Sequence, residues 1–306
     1  MRVTFNTFPD TLLGRLQSLG SEQNKALTQL STGQRIAAPS DDAPAMQRIL
    51  NLRTEKKQNQ QFHRNATDGL ERSKVTFSSL EQIKDLLVRA SELAAGINGA
   101  SSENEYFAKS SEINQLIEQG LNVGNTKLRG SYLFAADSPE NPAFTAERRG
   151  DGKINAISYA GSLNDSPIRI GEDTEIKVGS TVSENEKIAD LLNKLIDLRD
   201  AMDAPASATK SESVISMRGQ GTDSLDELEN TILTFVSRAG TVQYRLETAM
   251  KDLETRYEAT EQLISKDADI DFAEATVRLN RAQMAYQAAI QSGGMIQRNS
   301  LLDYIR

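Results

Sequence analysis

Cysteine is absent from the 306 residues. Disulfides, thiol nucleophiles and Cys-ligated metal are excluded with it. The absence suits a chain that must cross a membrane unfolded without cross-linking. Tryptophan is absent too, and aromatic residues make up only 5%. A large enzyme core uses more aromatic bulk, whereas long helices that bury one stripe each need less. No run approaches the roughly 18 apolar residues of a membrane span. With its negative mean hydropathy, the chain reads as soluble. The opening MRVTFNTFPDTLLGRL has no apolar h-region or small-residue cleavage site, so no cleaved secretory signal is expected.

Chemistry-bearing patterns are equally scarce. His63 is the only histidine and sits in a polar stretch beside Arg64. No Ser/His/Asp or Cys/His set can be assembled around it. Asp267, Asp269 and Asp271 start like a calcium loop. The sixth position of such a loop should be Gly and is Phe272, and the twelfth should be Glu and is Arg278. The three carboxylates read instead as a polar helix break that caps the helix after it. Gly219-Gln220-Gly221 lacks the strand and third glycine of a dinucleotide site. The net charge of −8 comes without a basic face, so nucleic acid is not an expected partner. No catalytic residue, cofactor or metal is expected.

What is present is helical period. Leu12, Leu16, Leu19, Gln23, Ala26 and Leu30 form a heptad seam, and Gly33 follows where a helix C-cap glycine would sit. In IAAPSDDAP, residues 36–44, Pro39 stops the helix. Ser40, Asp41 or Asp42 can then cap the next one, with Pro44 in its first turn. Helical patterns follow over about 45–95 and 103–123. Past Gly130 the period changes. Tyr132 to Phe134, Ile154 to Tyr159, Ile168 to Ile170 and Glu175 to Val178 are short β-like runs separated by turn residues. They read as a small insert with its own core, adding to neither helical seam and dispensable for what the seams do. A short amphipathic helix around Ile188–Ile196 and a linker-like stretch, 203–221, come next. Leu225, Leu228, Ile232, Phe235, Ala239, Val242, Leu246, Ala249 and Leu253 then alternate in steps of three and four. With Leu263, this predicts a rod of roughly 60 Å that needs partner helices along its length. A break at 266–271 precedes a last helix carrying Phe272, Thr276, Leu279, Ala282, Tyr286, Ala289, Gly293 and Ile296.

The expected fold is therefore mainly α with a small β insert. The N- and C-terminal parts form a long antiparallel coiled-coil-like helical bundle, and the β-rich domain lies in the middle. The divisions read as a polymerisation helix, 1–42; the first part of a helical rod, 43–130; the β-rich insert, 131–185; the second part of the rod, 186–266; and a C-terminal polymerisation helix, 267–306. Residues 1–64 hold nine Lys/Arg against five Asp/Glu, and residues 222–306 hold nine against fourteen. The two ends can lie side by side favourably, although exposed charges contribute little per pair. Neither terminal helix can bury its stripe alone. Leu12, Leu16, Leu19, Leu30, Phe272, Leu279, Tyr286 and Ile296 are the expected assembly interface, with Gly33, Ser40, Asp41 and Asp42 as helix turn and cap. Both ends are expected to be disordered in the isolated subunit, because single amphipathic helices are marginal in water.

LSTGQRIAAPSDDAP, residues 30–44, resembles the N-terminal signature of the flagellin superfamily. SRAGTVQYRLETA, 237–249, leading to DADIDFAEATVRLNRAQMAYQAA, 267–289, resembles its C-terminal region. Within that superfamily the chain is similar to the hook-filament junction family (hook-associated protein 3). The carrying features are the MRVTFNTF opening, the single small insert, and GSYLFAADSPENPAF, 130–144, in which Ala136 stands where that family has glycine. The resemblance implies a non-enzymatic structural adaptor of the bacterial flagellum, exported by the flagellar type III apparatus. Its implied partners are copies of itself in a ring, flagellin, a neighbouring hook-associated protein and an export chaperone. Flagellin, the bulk filament subunit, is the alternative. A secreted coiled-coil effector would need a Lys/Arg-rich face with aromatic anchors to meet a membrane, and neither end has one.

Overall fold

A computed structural model describes residues 7–97, 101–136, 140–164, 167–204, 213–214 and 225–304, with side chains from Asp10 to Met295. Among these, three helices, six short strands and three more helices follow in order: α1 (Thr7–Thr32), α2 (Ala43–Ala95), α3 (Glu103–Gly124), β1 (Lys127–Leu128), β2 (Ser131–Tyr132), β3 (Phe144–Arg148), β4 (Ile154–Tyr159), β5 (Pro167–Arg169), β6 (Glu175–Lys177), α4 (Val182–Asp203), α5 (Leu225–Ala268) and α6 (Phe272–Tyr304). The chain divides into two compact units. One holds residues 1–58 and 255–306, the other 59–254. The fold is mainly helical, as the periodicity predicts.

In the unit of residues 59–254, two helix starts are fixed by reciprocal capping boxes. Ser102 Oγ accepts from Glu105 N at 3.3 Å while Glu105 Oε2 accepts from Ser102 N at 2.8 Å. Thr181 and Glu184 do the same at 3.3 and 2.8 Å before α4. Each box satisfies two amide donors that a bare helix start leaves unpaired. One core runs through the unit: Leu80, Ile83 and Leu87 of α2, Ile113 and Ile117 of α3, Ile188 and Leu192 of α4, Ile232 of α5.

The strands form three separate two-stranded antiparallel ribbons, β1–β2, β3–β4 and β5–β6. Here the structure corrects one reading. The ribbons do not build their own core. Phe134, Phe144, Ile154 and Ile157 are buried in the helical core, while Ile170, Ile176 and Val178 pack with Ala66, Val242 and Leu246. A two-stranded ribbon has too little apolar area to stand alone, so each uses the helices as its second layer. The expected Tyr132–Phe134 strand is also shorter. Pairing covers Ser131–Tyr132 only, and Leu133 and Phe134 turn inward, both buried. Strands β1 and β3 were not anticipated.

The unit of residues 1–58 and 255–306 holds α1, α6, the first turns of α2 and the last turns of α5. Ile36, Ala45, Ile49 and Ala268 form its small core, with Met46 and Ile264 against it. The charge bias of the two ends appears here as ion pairs between residues far apart in sequence. The Arg48 guanidinium donates twice to the Asp267 carboxylate, at 2.9 and 3.1 Å. Lys56 pairs with Glu261 and lies over the Tyr257 ring, 5.0 Å from its centroid.

Candidate assembly interface

Two turns of chain, 33–42 and 267–271, are tied to each other. Gly33 has φ +70° and its amide donates to Gln29 O at 2.9 Å, closing α1 in the left-handed conformation that glycine adopts at no steric cost. The chain then lies against the break between α5 and α6. Arg35 N donates to Ala268 O at 2.7 Å and Ile270 N to Gly33 O at 3.0 Å. The Arg35 guanidinium donates to Asp267 O at 2.8 Å.

The acidic pair that follows has divided roles. Asp41 Oδ2 accepts from Ala37 N and Ala38 N, both at 3.1 Å, and Asp41 Oδ1 pairs with Lys25 at 2.7 Å. The Lys25 hydrogen bond, then the Ala38 and Ala37 amides, lower its pKa to about 2. Asp42 Oδ1 accepts from Ala45 N at 3.1 Å and its carbonyl from Met46 N at 2.9 Å, so Asp42 caps α2. Ser40 is exposed. Beyond the break, Asp271 Oδ1 accepts from Ala273 N and Glu274 N, at 2.9 and 3.1 Å, capping α6. Arg48 holds the Asp267 carboxyl below its ordinary range. No cluster of three or more metal-ligating side chains occurs among the described residues.

From these turns α1 and α6 run back along each other in opposite directions. A Cβ at Gly33 would stand 3.8 Å from Phe272, one at Gly20 4.0 Å from Tyr286, and one at Gly293 2.5 Å from Leu12. The last distance means that only glycine at 293 lets Leu12 lie where it does. Ala26, Ala275, Ala282 and Gly293 are buried along this contact, and small residues on facing helices permit close approach. Leu12, Leu16, Leu19, Leu30, Leu279 and Tyr286 are half-buried, and Phe272 is exposed. The Ile296 side chain lies outside the described residues.

The seam residues therefore spend part of their surface on the α1–α6 contact. A different set stays open: Leu13 (58% exposed), Leu27, Val277, Met284 (62%), Ile290 and Met295 (65%). At about 100° per residue, Val277, Met284 and Met295 share a narrow stripe on the side of α6 opposite Ala275, Ala282 and Gly293. Leu13 and Leu27 on α1, and Phe272 and Ile290 on α6, flank the contact on one side. The other side is a groove of about 560 Å³ lined by Glu22, Lys25, Arg278 and Arg281 above Leu19, Ala26 and Ala282. The pair thus presents two apolar faces and one charged one. Sequence reading missed Leu13, Met284 and Met295 because it assigned each helix a single stripe. The signal was available in the seven-residue step from Val277 to Met284.

Such open stripes are what a subunit of a larger assembly offers, and the comparisons agree. The bacterial flagellin N-terminal helical region matches residues 8–138, and the bacterial flagellin C-terminal helical region matches residues 222–305. Flagellar hook-associated protein 3 of Escherichia coli (strain K12) is 30% identical over 122 residues, 39% of this chain and 38% of that one. A flagellin of Halalkalibacterium halodurans is 22% identical over 270 residues, 88% of this chain and 86% of that one. The match to the first thus spans well under half of that protein. In fold, the chain is similar to the crystal structure of the flagellar junction protein FlgL from Legionella pneumophila, with a TM-score of 0.53, 13% identity, and coverage of 72% of this chain and 100% of that one. With matches at both ends, in order, and together over more than half of its length, the chain belongs to the bacterial flagellin family of structural flagellar proteins.

Proposed function

We propose that this protein is the subunit that joins the hook side of the flagellum to the flagellin filament. The observation that carries the proposal is the α1–α6 pair with apolar stripes on two faces. A subunit that must bind unlike neighbours above and below needs more than the one seam used within the chain. The local identity to a hook-associated protein 3 supports the choice within the family. In this reading residues 1–42 and 267–306 are the polymerisation segments, 43–130 and 186–266 the rod, and 131–185 the β-rich insert. The partners are further copies of this chain, flagellin, a hook-associated protein and an export chaperone. The chain leaves the cell through the flagellar type III apparatus and acts without catalysis or cofactor.

Flagellin itself is the second reading, favoured by the near-full-length similarity to a filament protein. Negative-stain microscopy of cells lacking this gene separates the two. The junction role gives hooks without filaments, with flagellin released into the medium. Cells that lose the filament protein itself, with nothing released, point to bulk flagellin.

A further inference from the structure

Peroxides oxidise thiols and thioethers. The chain has no cysteine and seven methionines, so this chemistry falls on methionine. Met1 and Met217 lie outside the described residues. Met202 is 1% exposed in the helical core. Met46 and Met250 are half-buried, each against a small apolar cluster. Met284 and Met295 differ from all of these, at 62% and 65% exposed.

Both stand on α6, eleven residues apart. At about 100° per residue that spacing puts them on one face, roughly three turns from each other. Ala273, Val277 and Ala288, all exposed, share the face. The sixteen residues from Ala282 to Gln297 include no charged side chain, in a chain that is 25% charged. A helix face that stays in water normally carries charge. The two methionines are thus the longest apolar side chains of an uncharged stripe.

Oxygen transfer changes that stripe at two points. A hydroperoxide gives one oxygen to the sulfur: the O–O bond breaks, an S–O bond forms, sulfur is oxidised, and the peroxide is reduced to water or an alcohol. The product is a sulfoxide, which is polar. In the free subunit water solvates it. Covered by an apolar neighbour, it loses that water and gains no donor, which is costly.

We propose that Met284 and Met295 are a site of oxidative modification, and that sulfoxide formation there keeps α6 from being covered by its neighbour in the assembly. The site rests on exposure and composition; its effect on assembly rests on the junction reading.

The first test is peptide mass spectrometry of the purified full chain during treatment with dilute hydrogen peroxide. Met284 and Met295 should gain oxygen about tenfold faster than Met202, or more. Rates no higher than that of Met202 would overturn the site. The second test counts filaments on cells by negative-stain microscopy, at equal exported amounts of subunit. Gln stands in for the sulfoxide and Leu for an apolar side chain that peroxide leaves alone. The pair Met284→Gln and Met295→Gln should leave about tenfold fewer filaments, while Met284→Leu with Met295→Leu keeps them. Filaments at wild-type number on the Gln pair would overturn the effect on assembly. Loss on both pairs would overturn it too, because side-chain shape and not polarity would then be at fault. A strain lacking the gene that keeps its filaments would remove the junction reading and the assembly effect with it, leaving the site to the oxidation rates.

Discussion

Two residues test the backbone reading in opposite directions. Gly33 and Ala136 both have positive φ, +70° and +52°, but only one of them is a glycine. A Cβ at residue 33 meets nothing closer than Phe272 at 3.8 Å, so Gly33→Val is opposed by backbone conformation and not by crowding. It should destabilise the protein by about 1 kcal/mol or more. Ala136 stands where the resembling family has glycine, and Ala136→Gly should stabilise by about 0.5–1 kcal/mol. Thermal melts of both variants check the pair; equal signs would contradict it. Asp41 carries a pH dependence. Its carboxyl titrates at about 2 in the fold against 3.8 ordinarily. Its contribution is therefore whole above about pH 4 and is lost as the pH falls towards 2. Asp41→Asn should lower stability at neutral pH and flatten acid unfolding across that window. An acid profile parallel to the wild type would show that the Lys25 and amide bonds do not hold this turn.

At the scale of elements, the helices were legible because their stripes repeat many times. Nine apolar residues in a three-four alternation announce α5 without ambiguity. The ribbons were not legible in the same way. β1 and β2 are two residues long and β5 and β6 three, too short for alternation to register. What fixes them is tertiary: the Phe144 ring packs between those of Phe134 and Tyr159 in tilted contacts, at centroid distances of 6.3 and 5.7 Å. The capping boxes at Ser102/Glu105 and Thr181/Glu184, which the sequence reading did not use, mark the starts of α3 and α4. The shared core changes the expectation for the insert. Phe134, Phe144, Ile154 and Ile157 each contribute roughly 1.5–3 kcal/mol by burial, and deleting residues 131–185 uncovers α3 and α4 as well as removing the Thr181 cap. A deletion bridged by Gly-Ser should therefore melt at a clearly lower temperature. An unchanged Tm would mean that the helices pack independently of the ribbons.

For the whole molecule, the central claim is that the terminal segments complete their packing on neighbours. The interface residues were partly legible. The heptad seam located α1 and α6, which use that seam on each other within the chain, while residues such as Leu13, Met284 and Met295 stay open. A two-helix pair with several exposed large side chains gains little against the cost of ordering about 40 residues at each end. Each open side chain would contribute roughly 1.5–3 kcal/mol once covered, so ordering is offset on assembly. Limited proteolysis of the purified monomer, with mass spectrometry of the products, tests this most directly. Early cuts should fall before about Asp42 and after about Lys266, leaving a resistant core. Ends that resist digestion as well as residues 225–263 do would contradict the account and make the self-packed bundle the better description.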